Sequence, residues 1–218
     1  ILPADVPSLK LILLGGEALP PSIVQKWSKP GRRILNTYGP TEATVVATAA
    51  PVEPGETVTI GRPIPNYTAY IVDEEMKLTG VGQQGELLIG GPGVAKGYHL
   101  RPELTAEKFI ANPFGGTEDP ILYRSGDAVS LDENGNIVFH GRIDDQVKIR
   151  GFRVELGEIE TALSDEAGIG QAAVVLRTDD GIERLVAFLV GEPGVQIEGS
   201  VLRASLREKL PPYMIPAH

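Results

Sequence analysis

Hydrophobic and polar positions divide this chain into three textures. "LKLILLGG", residues 9–16, is a short apolar run closing on glycines, the pattern of a buried strand that ends in a turn. "PPSIVQKW" opens on proline, as a short helix does, and "RILNTYG" is a second strand-like run. This β-α-β rhythm predicts a parallel sheet. From Pro51 onward glycines and prolines arrive every few residues, between the strand-like runs "AYIVD", "GELLIGG", "DAVSLD" and "NIVFHG". "LDENGNIV" predicts a hairpin, because Asn134-Gly135 tolerates positive φ between two strand-like segments. Short strands at this density predict a small antiparallel barrel or sandwich, interrupted by one helix, "RPELTAEKF".

After "GRIDDQ" the texture changes again. "QVKIR" reads as a strand, and "ELGEIETAL" sets Leu156, Ile159 and Leu163 on one helical face. "AAVVLRT" and "RLVAFLV" are expected to pair around "DDGIE", and "SVLRASLREKL" repeats the stripe with Leu202, Leu206 and Leu210. The order αββα predicts a compact α+β unit beginning near Asp144. The expected fold is therefore α/β and α+β multidomain. Residues 1–50 end a parallel α/β subdomain, residues 51–143 form a small distorted antiparallel β-barrel, and residues 144–218 form a mobile α+β domain.

Composition narrows the function classes. The net charge of −9 argues against nonspecific nucleic-acid binding, which draws on basic residues at phosphates. No stretch approaches the roughly 20 apolar residues of a membrane span, and no basic segment precedes an apolar run at the start. The chain has no cysteine, which excludes disulfides and thiolate metal sites and agrees with a cytoplasmic setting. His99, His140 and His218 lie far apart in sequence, against a zinc site. The chain begins without an initiator methionine and stops at "LPPYMIPAH", where no element has obviously finished, so both ends read as cuts through something larger.

Three stretches carry candidate chemistry. In "NTYGPTEATV", Gly39-Pro40 forces a turn that sets the Thr41 hydroxyl beside the Glu42 carboxylate. A hydroxyl and backbone amides on a tight loop can hold phosphate oxygens, an adjacent carboxylate can hold Mg²⁺, and Tyr38 offers a face to a planar base. The same residues also make an ordinary polar turn. "YRSGD" leaves Asp127 at the mouth of a strand, able to accept two hydrogen bonds from a ribose diol or simply to cap the strand. "GRIDDQVKIRGFRVELGEIE" gathers Arg142, Lys148, Arg150 and Arg153 with Asp144 and Asp145, as a hinge or as a solvated salt-bridge patch. Gly151 there marks a place where another chain or a ligand approaches closely. "GGPGVAKGY" lacks a phosphate-loop spacing and reads as barrel turns.

The order of these stretches adds to each of them. "LLGGEAL", "NTYGPTEATV", "GELLIGGPGVAKGYHLRPELTAEKF", "YRSGD", "GRIDDQVKIRGFRVELGEIE" and "LPPYMIP" occur in one line. Together they closely resemble the adenylate-forming superfamily, and within it the amino-acid adenylation domains of nonribosomal peptide synthetases. The resemblance implies activation of an amino acid with ATP and Mg²⁺, then transfer to phosphopantetheine on a peptidyl carrier protein, beside condensation or other synthetase domains. It implies that Gly16 and Glu17 lie against the adenine region with Asn36 and Gly39 nearby, and that Tyr38 stacks on or beside the base. It further implies that Thr41 touches phosphate, that Glu42 binds Mg²⁺, and that Asp127 takes the ribose hydroxyls with Arg142 nearby. Asp144 is implied as the hinge, and Lys148 and Gly151 as positions presented to the active site in the transfer state. Leu13, Gly15, Thr37, Val45 and Val46 align with the acyl pocket, and the two valines imply a medium or large apolar substrate.

The family's phosphate loop and its adenylation lysine have no counterpart in these residues. Removing a cation that meets developing charge costs orders of magnitude in rate, so the 218 residues alone are expected to show negligible adenylation. Two rivals stay open at this level: an acyl-CoA or aryl acid ligase of the same superfamily, and a non-catalytic nucleotide-binding or docking module.

Overall fold

The computed structural model describes residues 2–115, 120–144, 146–149, 151–179, 182–195 and 197–218. Asp145 and Arg150 of the charged stretch, and part of the "DDGIE" turn, lie outside the described residues. The chain forms two compact units, Ile1–Ile143 and Asp144–His218. Among the described residues no helix is long and apolar enough to cross a membrane.

In the first unit, strand β1 (Leu11–Gly15) and strand β2 (Arg33–Tyr38) pair in parallel, joined by helix α1 (Pro21–Trp27). The β-α-β expectation therefore holds. β1 is not buried on both faces, however. Its exposure alternates, with Leu11 and Leu13 on the open side, because α1 packs on one face only, where Val24 and Trp27 meet Ile34 and Ala50. Arg32 is buried beside this core, and its guanidinium donates to the carbonyl oxygens of Val6, Leu9 and Trp27 at 2.9, 3.0 and 3.2 Å.

Strand β3 (Thr48–Pro51) pairs antiparallel with β2, and the short β4 (Arg62–Pro63) with β3. The textural change at Pro51 thus falls on the last residue of a strand in the first sheet. A second sheet has the order β5 (Thr68–Val72), β6 (Gly85–Gly90), β8 (Ile121–Leu131), β7 (Phe109–Ala111), with β9 (Ile137–Arg142) also on β8. Helix α2 (Pro102–Lys108) runs into β7. Tyr38, Ala43 and Ala47 share one buried cluster with Leu87, Ile89, Val129 and Ile137, so the end of β2 packs onto the second sheet.

The hairpin between β8 and β9 turns at Asp132–Asn136, with Gly135 at φ 75°. The Asp132 carboxylate accepts from the Asn134 and Asn136 amides at 2.9 and 2.7 Å. Those bonds, first of all the one from the Asn136 backbone, hold its pKa below the ordinary value.

The second unit opens with a hairpin, β10 (Gln146–Ile149) on β11 (Phe152–Glu155), followed by helix α3 (Leu156–Ser164). β11 was not expected from the sequence, and it adds a strand to the αββα order. Leu156, Ile159 and Leu163 are all buried, as their spacing predicts. β12 (Ile169–Asp179) pairs antiparallel with β13 (Ile182–Gly191), and helix α4 (Gly199–Lys209) contributes Leu206 to the core. Residues 217 and 218 lie along β13: the Ala217 amide donates to Leu185 at 2.9 Å and the Ala187 amide to His218 at 2.8 Å.

Candidate functional site

The parallel register Gly15↔Thr37 brings β1 and β2 to a common carboxyl end. Ligands of open α/β sheets bind at such ends. β1 leaves there through Gly16, whose φ of 89° suits a residue without Cβ, and Glu17 follows, exposed. β2 leaves through Tyr38 and Gly39. A Cβ on Gly39 would stand 2.7 Å from the Ala47 amide nitrogen, so only glycine fits the return of this loop.

Thr41–Ala43 is a single 3₁₀ turn that presents Thr41 to solvent and leaves Glu42 half-buried. The amides of Ala43 and Val45 both donate to the Pro40 carbonyl, at 3.0 and 3.2 Å, and that of Thr44 to the Thr41 carbonyl at 3.1 Å. These amides are committed inside the turn, and Thr41 stands exposed on it. Thr44 and Val45 are consecutive residues at φ 56° and 70°. A β-branched residue is strained there, and such strain persists where surrounding structure holds it.

Tyr38, Asp127 and Arg142, distant in sequence, meet in one buried group. The Tyr38 hydroxyl donates to Asp127 Oδ2. Arg142 Nη1 donates to Asp127 Oδ1 at 3.0 Å and to the Ser125 carbonyl at 2.6 Å. Asp127 and Arg142 face each other across the β8–β9 ladder. The Ser125 hydroxyl donates to the Leu87 carbonyl at 2.6 Å and accepts the Asp127 amide at 3.1 Å. Burial pushes the Tyr38 phenol well above its ordinary pKa, and the Asp127 charge adds to this.

"YRSGD" is not at the mouth of a strand. It lies inside the eleven-residue β8, where the β6 and β9 ladders both shift register and Gly126 sits at φ 70°. That irregularity brings Asp127, which is 5% exposed, to a position where Tyr38 and Arg142 reach it. Asn36 is also buried, and its amide donates to the Thr59 carbonyl at 2.8 Å, tying residues 58–60 to β2.

Leu13, Gly15 and Thr37 share one face of the sheet through the pairs Leu13↔Leu35 and Gly15↔Thr37. Leu13 is 61% and Val45 68% exposed, whereas Val46 is half-buried. The Thr37 hydroxyl donates to the Leu14 carbonyl at 2.9 Å, and a Cβ on Gly15 would stand 2.5 Å from that hydroxyl. Gly15 therefore leaves room for Thr37 beside it.

The sequence reading missed Tyr98. Its hydroxyl donates to Glu42 Oε1 at 2.6 Å. Burial raises the phenol's pKa, with the Glu42 bond adding to it, so it remains a donor at neutral pH. The two residues are 56 positions apart, and neither the period nor the composition of "GGPGVAKGY" points to the pairing.

Asp144, Lys148 and Gly151 belong to the second unit. The Asp144 carboxylate accepts from the Gln146 amide at 3.2 Å at the start of β10, and Lys148 is exposed on that strand opposite Arg153. Gly151 is in the β10–β11 turn at φ 80°, a backbone conformation that suits glycine. Among the described residues no three His, Cys, Asp or Glu side chains cluster as a metal site.

Residues 2–99 match the model of the AMP-binding enzyme family, and residues 158–218 that of its C-terminal domain. Delta-poly-L-ornithine synthetase of Acinetobacter baumannii is 52% identical over 219 residues, covering 99% of this chain and 16% of that protein. The Vibrio cholerae adenylation domain AlmE, solved with glycyl-adenosine-5'-phosphate, superposes with a TM-score of 0.86 at 31% identity, covering 99% of this chain and 42% of that one. PA1221, a nonribosomal peptide synthetase protein containing adenylation and carrier-protein (PCP) domains, gives 0.86 at 28% identity, covering 98% and 37%. The chain thus spans less than half the length of each protein it matches here. The mixed sheets seen here are those of α/β adenylation-domain folds. The chain belongs to the AMP-binding enzyme family.

Proposed function

We propose that this chain is part of an enzyme that activates an amino acid with ATP as the aminoacyl-adenylate and passes it to the phosphopantetheine thiol of a peptidyl carrier protein. Condensation domains or other peptide-synthetase modules would be its further partners. One observation carries the reading: the buried Tyr38–Asp127–Arg142 group lies in the same unit as the solvent-facing Thr41–Glu42 turn. The relatives support it, since AlmE was solved with an aminoacyl-adenylate and PA1221 contains a carrier domain.

In this reading the substrate carboxylate bonds to the α-phosphorus of ATP while pyrophosphate leaves. Asp127 has lone pairs beyond those that Tyr38 and Arg142 engage, and accepts from the ribose hydroxyls. Arg142 pairs with that carboxylate through its guanidinium at 3.0 Å. Tyr38, with its hydroxyl on Asp127, offers the edge of its ring beside the base, next to Gly16, Glu17, Asn36 and Gly39. The Thr41 hydroxyl donates to phosphate, and Glu42 holds Mg²⁺.

The Glu42 carboxylate fits Mg²⁺, which is commonly held by one or two carboxylates together with substrate phosphates and water. Bound there, Mg²⁺ would neutralise phosphate charge. Leu13, Gly15, Thr37, Val45 and Val46 receive the amino-acid side chain. The sheet of β5 to β9 is the barrel subdomain, Asp144 is the hinge of the second unit, and Lys148 and Gly151 are presented to the site at the transfer step.

The test is amino-acid-dependent ATP–pyrophosphate exchange by the full-length protein across a substrate panel. Exchange with one or a few amino acids, abolished by Asp127→Asn, is expected. Exchange with aryl or fatty acids alone would move the protein to another acyl ligase class. Nucleotide binding with no exchange for any acid would make it a binding module and overturn the reading.

A further inference from the structure

We propose that Tyr98 is a positioning residue for Glu42, and that residues 91–98 are a clamp on the turn that carries it. The proposal rests on Glu42 as the Mg²⁺ carboxylate.

Four contacts from outside the turn converge on three consecutive residues. Tyr98 Oη donates to Glu42 Oε1 at 2.6 Å, and the Ala95 amide donates to the Glu42 carbonyl at 2.8 Å. Tyr67 Oη donates to the Ala43 carbonyl at 3.0 Å, and Thr44 Oγ1 to the Gly93 carbonyl at 2.7 Å. The side chain and the backbone of Glu42 are therefore both held from the same loop.

The loop's glycines are there for that approach. A Cβ on Gly93 would stand 1.7 Å from Tyr67 Oη, the atom that holds Ala43. One on Gly97, at φ 137°, would stand 2.3 Å from Thr105 Cγ2. Thr105 in turn accepts the Tyr98 amide at 2.9 Å.

Tyr98 is itself anchored in the core. Its ring packs edge-on against Phe109 at 5.4 Å and 70°, and Phe109 lies 5.1 Å from the buried Tyr123. The hydroxyl that meets Glu42 is thus located by packed rings on α2–β7 and β8 rather than by a loose loop. A carboxylate on a short turn has several rotamers, and ordering one of them costs free energy when a ligand binds. A donor fixed on one oxygen removes that cost beforehand, as groups behind a metal ligand do.

The test uses Tyr98→Phe and Glu42→Gln in the full-length protein. Phenylalanine keeps the ring contacts and removes the hydroxyl, which meets Glu42 and also Tyr123. Mn²⁺ binding with a non-hydrolysable ATP analogue is followed by water-proton relaxation enhancement, alongside the Mg²⁺ dependence of pyrophosphate exchange. Glu42→Gln is expected to abolish the enhancement. Tyr98→Phe is expected to weaken Mn²⁺ binding about tenfold and to raise the KM for Mg²⁺ more than it lowers kcat, with the melting temperature lowered by only a few degrees. Mn²⁺ affinity and Mg²⁺ KM within about twofold of the parent in Tyr98→Phe, with the enhancement lost in Glu42→Gln, would overturn the positioning role alone, since a supporting residue normally costs tenfold or more. Enhancement retained in Glu42→Gln would overturn the metal assignment and the clamp's purpose with it.

Discussion

Two carboxylates in the first unit each receive a tyrosine hydroxyl, and they are built for different work. Asp127 is buried in mid-strand, with Tyr38 on one oxygen and Arg142 on the other. Glu42 sits half-buried on a three-residue turn, with Tyr98 on one oxygen. A buried charge needs an opposite charge and full hydrogen bonding within the protein, so Asp127 is part of the fold as well as of the site. A carboxylate at the surface can leave part of its coordination to a ligand. The first carboxylate is held by a phenol and a guanidinium in mid-strand, the second by a phenol on a short turn.

The sharpest break in that comparison is Arg142→Met. It leaves Asp127 buried without its guanidinium and is expected to destabilise the protein by about 3–5 kcal/mol, read as a lower urea midpoint at unchanged slope. Tyr38→Phe comes next, at about 1–3 kcal/mol, because a buried acceptor loses its donor. Tyr98→Phe should cost less, about 0.5–1.5 kcal/mol, since water can replace the phenol at the half-buried Glu42. Equal losses in the two phenylalanine variants would erase the distinction between the sites.

Alkaline titration sharpens it further. Both phenols have folded pKa values raised above the unfolded one, Tyr38 and Tyr98 each chiefly by burial. Their contribution to stability is therefore complete below the ordinary tyrosine pKa of about 10 and is lost as pH rises beyond it. Absorbance at alkaline pH should show the Tyr38 and Tyr98 phenols ionising only with unfolding, and that late step should shrink in each phenylalanine variant. The smallest effect is that of Leu13→Ala on the open face of β1. At 61% exposure it should change stability by no more than about 0.5 kcal/mol, while altering which amino acid supports exchange.

Much of the fold was legible in the chain. The β-α-β opening, the Asn134-Gly135 hairpin and the stripe Leu156, Ile159, Leu163 are patterns that close within a few residues, and each formed as read. The strands β3, β4, β7 and β11 were not legible. They run two to four residues, and segments such as "TAAP" carry no alternation, so they exist because a neighbour's ladder is open beside them. "YRSGD" misled for a related reason. Gly126 suits a turn locally, yet pairing on both sides of β8 draws it into the strand as an irregularity.

By itself, then, the sequence determined the helical stripes, the turns and the inventory of candidate groups: Thr41, Glu42, Tyr38, Asp127 and Arg142 were identifiable by type and order. Only the tertiary structure decided which of them meet. Tyr38 and Asp127 are 89 positions apart, and Tyr98 and Glu42 are 56 apart. Contacts at such separations carry a loop-closure cost that no local preference offsets. They form once the two sheets have buried their shared core, and the packing of that core then sets which hydroxyl reaches which carboxylate.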